Sequence, residues 1–113
     1  MTKTEKKIDN NLRKVLTDVC EDAKDEFQGF QWLTHTVNYA NFPASLKLTC
    51  VFATNADIAQ LTASKQEQHL YELLTQALNA VGVKLKNSNK QVRFDSEENC
   101  SRENAGNWAK RLG

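Results

Sequence analysis

Lys84, Lys86, Lys90 and Arg93 follow one another with no acid between them, and Asp95, Glu97 and Glu98 arrive directly after. Cations grouped on one short segment create a local field that suits phosphate oxygens or acidic side chains. Lys110 and Arg111 extend that candidate surface, so the partner-binding set is Lys84, Lys86, Lys90, Arg93, Lys110 and Arg111. The bland counterpart is an edge hairpin whose lysines keep it from pairing with other chains. The acids offer a second chemistry. Asp95, Glu97 and Glu98 would supply oxygen ligands to a hard cation, or a general acid and base with His35 as the fourth member. That catalytic set competes with a simpler explanation, because the positive end of a helix dipole attracts acids. His35, between Leu33 and Val37, sits where a histidine is usually hydrogen-bonded beside the core, with no nucleophile at a motif spacing.

The remaining chemistry-bearing residues are sparse. Cys20, Cys50 and Cys100 are odd in number and include no C-x-x-C, which reads as a reduced, cytoplasmic protein. Cys50 and Cys100 fall on apolar faces and read as small hydrophobes. No glycine-rich phosphate loop, G-x-S-x-G, H-E-x-x-H or zinc spacing occurs, so no cofactor or metal is implied. A net charge of +1 excludes a histone-like basic protein while leaving room for a local patch. No apolar run approaches the ~20 residues of a membrane span, and a polar start, MTKTEKKIDNN, offers no secretory core.

These groups must be held by elements that the hydrophobic pattern outlines. Ile8, Leu12, Val15, Leu16, Val19, Ala23 and Phe27 form a helical stripe that Gly29 ends. Residues 30 to 39, FQWLTHTVNY, read as a strand with Phe30 and Trp32 on one face and Leu33, Val37 and Tyr39 on the other, hence interior or partly covered. A loop with Pro43 leads to residues 45 to 53, where Leu46, Leu48, Cys50 and Phe52 alternate with Lys47, Thr49 and Val51 as in a half-buried antiparallel strand. Thr54 or Asn55 caps a second helix. Its apolar stripe runs from Ile58 to Val81, with either a break near Ser64 or an exposed first half, and Gly82 stops it. Val83 to Lys86 and Gln91 to Phe94 read as two short strands around Asn-Ser-Asn, with Lys86 and Lys90 flanking the turn. Asp95 or Ser96 then caps a last helix that carries Cys100, Trp108 and Leu112.

The expected order is α-β-β-α-β-β-α. This is one α+β domain over residues 1–113, with 1–6 as a flexible lead and a four-stranded, largely antiparallel sheet covered by helices mainly on one face. Four segments carry a resemblance: KKIDNNLRKVLTDVCE, FQWLTHTVNYANFPASLKLTCVF, QVRFDSEENC and GNWAKRLG. With them the chain resembles a family of small proteobacterial proteins that are often labelled Fis-family transcriptional regulators. The resemblance covers nearly the whole chain, with residues 56 to 82 as its variable part, and implies a bacterial regulator without naming binding residues.

The functional expectation is a non-enzymatic cytoplasmic module that meets a macromolecular partner through the basic hairpin. A nucleic acid, a protein or a second copy would serve, with Phe42 and Trp32 as apolar contacts for a protein partner, and no membrane is involved. The alternative is a small metal-dependent hydrolase or nuclease that uses the acids and His35.

Overall fold

The computed structural model describes residues 2–42, 44–85 and 88–112, so Lys86 and Pro43 lie outside the described residues. Helix α1 spans Lys3–Glu26, starting within the lead expected to be flexible. Its start is fixed by a capping box: the Thr2 hydroxyl accepts from the Glu5 N–H, and the Glu5 carboxylate accepts from the Thr2 N–H. Leu12, Leu16, Val19 and Ala23 bury the stripe that the sequence outlines.

Strand β1 (Phe30–Thr36) pairs antiparallel with β2 (Lys47–Phe52), as expected of the first hairpin. A short 3-10 turn, Tyr39–Asn41, lies between them. Directly paired residues share a sheet face, which makes the register decisive. An irregularity between Phe30 and Trp32 separates two residues expected to face the same way. Phe30 pairs with Phe52 in the main core, whereas Trp32 pairs with Val51 on the opposite face. β1 is an edge strand, not an interior one, and its second face is partly covered where Trp108 meets Trp32.

Among the described residues the expected second hairpin does not form. After α2 (Asn55–Ala63) and α3 (Glu67–Ala80), residues 83–85 belong to no strand or helix, and Ser88–Gln91 form one turn, α4. Strand β3 (Val92–Ser96) then pairs with β2, parallel to it. Among the described residues the sheet is therefore three-stranded and mixed, in the order β1-β2-β3, instead of four-stranded and antiparallel. The physical cause lies in β2, whose residues from Leu48 to Phe52 are all buried. A strand buried on both faces wants a partner on each side, and a parallel partner requires a long helical crossover, which α2 and α3 supply. Gln91 anchors the return by donating its side-chain N–H to the Leu46 carbonyl at 3.0 Å.

Between α2 and α3 the chain breaks at Ser64, with Lys65 at φ 59°. The α2 cap is Thr54, whose hydroxyl accepts from the Asp57 N–H. Helices α1 and α3 and the inner face of α2 pack on the face carrying Phe30, Leu33, Leu48, Cys50, Phe52 and Val92. Phe52 sits edge-on to both Phe30 and Phe94, at 5.4 and 6.1 Å between ring centroids. The other face carries Trp32, Thr34, Lys47, Thr49, Val51, Arg93 and Asp95. Its Val51 end is closed by α5 (Glu97–Asn104) and α6 (Trp108–Leu112).

Candidate binding sites at the two sheet edges

The expected catalytic set does not assemble. Asp95 pairs with Val51 and belongs to the face under α6, whereas His35 pairs with Leu48 and belongs to the face under α1. Two strand spacings and three residues along the strand put their Cα atoms ~14 Å apart, with the sheet between the side chains. Each acid instead has a structural partner. Glu97 accepts both indole N–H groups, from Trp32 at 2.6 Å and from Trp108 at 3.1 Å. The two rings meet edge to face at 4.9 Å, which joins β1, α5 and α6 through one carboxylate. Glu98 accepts from the Asn55 N–H at 2.9 Å and so ties the start of α5 to the start of α2. Ser96, not Asp95, caps α5. No group of His, Cys, Asp and Glu side chains fit to hold a metal ion occurs among the described residues.

Asp95 is buried against Arg111. The guanidinium donates twice, Nε to Oδ2 at 2.6 Å and Nη2 to Oδ1 at 3.0 Å, and the Ser96 N–H adds a third bond at 2.9 Å. Burial works against the carboxylate charge, but these donors and the Arg111 charge outweigh it and hold Asp95 below its usual pKa. Arg111 also donates Nη1–H groups to Glu103 at 2.6 Å and Asn104 at 2.9 Å, and its hydrogen bonds to Asp95 and Glu103 raise its pKa. Arg111, expected as a partner-binding cation, is thus committed internally.

The other cations part company. Arg93 and Lys110 line one polar concavity of about 490 Å³ with Asn99, Asn104 and the Asp95–Arg111 pair. Arg93, Phe94 and Asp95 are consecutive, so the concavity runs along the outer edge of β3. Arg93 and Lys110 are exposed, and neither side chain has an ion partner among the described residues. Lys47 shares the sheet face of Arg93, two residues from its pairing partner Thr49, which sets the Cα atoms ~8 Å apart. Sequence reasoning missed Lys47, because only the parallel register makes it a neighbour of Arg93. Lys84 and Lys90 are exposed but do not line this concavity.

A second cluster was not foreseen. Asp9, on α1 and only 8% exposed, accepts from Tyr39 at 3.0 Å and Arg13 at 2.9 Å, with His35 Nε2 at 3.4 Å. Burial opposes the Asp9 charge, and the Tyr39 and His35 hydrogen bonds with the Arg13 charge overcome it and lower its pKa. Burial and the same contact push Tyr39 up to about 12. The i,i+4 spacing of Asp9 and Arg13 is visible in the sequence, but Tyr39 arrives only through the turn after β1. Cys20 is too distant to complete a Cys-His-Asp arrangement, being eleven residues from Asp9 and hence ~16 Å along the helix. His69 is exposed and paired with Glu26 at 2.7 Å. Cys50 is fully buried, which pushes its thiol up to about 12 and makes it inert. Phe42 is partly buried beside Tyr39, and Trp32 is covered by Trp108, so neither offers a free apolar anchor. Among the described residues no helix is long and apolar enough to cross a membrane.

No protein-family model, curated protein or solved structure matches this chain.

Proposed function

We propose that this chain is a non-enzymatic binding module that contacts the phosphate backbone of a nucleic acid beside the outer edge of β3. The observation that supports the reading most directly is the convergence of Arg93 and Lys110, two cations without an ion partner among the described residues, on one polar concavity with Lys47 beside it. The Asp95–Arg111 pair contributes by holding α6, and with it Lys110, against β3. Phosphate contacts of this kind fix position and carry little sequence information.

Filter binding with DNA and RNA oligonucleotides over a salt series tests the reading. Three phosphate contacts give a slope of log affinity against log salt of about −2 to −3. The double variant R93E/K110E loses binding while keeping the wild-type melting temperature. Absence of binding at low salt, or unchanged binding by the double variant, refutes the proposal.

A further inference from the structure

A groove of about 660 Å³ runs between α1 and β1, on the opposite side of the sheet from the basic concavity. Leu33, Thr34 and His35 all line it. Successive strand residues point to opposite faces, so a groove that touches three in a row lies beside the strand, along its outer edge. β1 ends the sheet, and residues 31–36 make no backbone hydrogen bond outside the β1–β2 ladder among the described residues. The strand, FQWLTHT, contains no lysine or proline to discourage pairing. An open backbone edge is satisfied in kind by another extended backbone, and helix α1 supplies the facing wall.

Along that wall stand Asp9, Arg13, Leu16 and Cys20, with Leu33 and Val37 across from them. Arg13 is anchored through Nε to Asp9 at 2.9 Å, and its side chain is 71% exposed. Its two terminal nitrogens have no partner among the described residues, which leaves a fixed, two-pronged donor for a carboxylate. Asp9 and Tyr39 lie beyond Arg13 in the same groove, so a bound chain passes Arg13 instead of ending there. The matching acid is therefore a side chain and not a chain terminus.

We propose that this groove takes an extended peptide segment of a protein partner. The segment adds as a fourth strand on β1, sets apolar side chains against Leu16, Cys20, Leu33 and Val37, and brings an Asp or Glu carboxylate to Arg13. The site is independent of the β3 edge, and its occupant is a protein where the other is a nucleic acid.

The test pans a displayed library of random heptapeptides on the intact protein, and the recovered sequences are synthesised with acetylated and amidated ends. The expected peptides alternate apolar residues and carry an acid. They slow amide exchange at residues 33–35, and they lose about tenfold in affinity when their alternate backbone nitrogens are methylated. Arg13→Gln weakens them about fivefold, Thr17→Trp at the groove mouth blocks them, and R93E/K110E leaves them unaffected. The inference is overturned if no peptide is enriched over the Thr17→Trp control, if backbone methylation changes nothing, or if the exchange effects fall on β3. Slowed exchange at residues 33–35 that depends on protein concentration alone assigns the edge to a second copy, and this also overturns it.

Discussion

Asp95 is a buried carboxylate whose charge is held by its partners. Its carboxylate is buried, receives both prongs of Arg111, and has a folded pKa below the ordinary value of 3.8. A depressed folded pKa means that the stabilisation is present above the unfolded value and is lost as pH falls through the folded one. Asp9 is shifted in the same direction by Tyr39, His35 and Arg13. Stability is accordingly expected to hold from neutrality down to about pH 4 and to fall below it as both carboxylates take up protons. Asp95→Asn removes the Asp95 share of this profile, leaving that of Asp9, and costs about 2–3 kcal/mol at neutral pH. That is less than the loss of a fully buried pair, because Arg111 keeps Glu103 and Asn104. Urea unfolding at pH 7 and pH 3.5 measures both effects, and an acid limb as steep in the variant as in the parent would mean that Asp95 does not contribute to it.

At the scale of elements, the helical stripe of α1 and the first hairpin were legible, and the Thr54 cap and the break at Ser64 were each one of two readings the sequence left open, because all rest on local periodicity or capping chemistry. Two features were not. Val83 and Leu85 look like strand residues, but they are apolar because they pack on the main core from a segment that belongs to no strand or helix. The parallel register of β3 leaves no local trace, since its partner lies about forty residues earlier, across α2 and α3. The basic hairpin disappeared with that register, and Lys47 joined Arg93 because of it. Gly29 shows how closely the elements are fitted. It adopts φ +79°, and a Cβ there would stand 2.1 Å from the Asp57 carboxylate, which itself reaches back to the Thr54 cap. Gly29→Ala is expected to cost about 2–3 kcal/mol from backbone strain and from displacing that cap. Thermal unfolding checks it, and a loss below about 0.5 kcal/mol would show that the turn relaxes freely.

Across the whole molecule, β2 is the only strand among the described residues with a partner on both sides, and the main core and the α5–α6 cover meet through it. Its amides are expected to exchange most slowly of all, with those of α4 and α6 among the fastest, because global opening is required to free the central strand. Exchange measured residue by residue decides this, and β1 amides slower than those of β2 would contradict the strand order. The sheet's two outer edges then face different chemistry, a polar basic concavity beside β3 and a mixed apolar groove beside β1. Both tryptophans of the chain, Trp32 and Trp108, meet at the single carboxylate of Glu97. The intrinsic emission of this protein is therefore a local gauge. It reports whether the final helix sits on the sheet, and it is blind to loosening confined to α1 and α3.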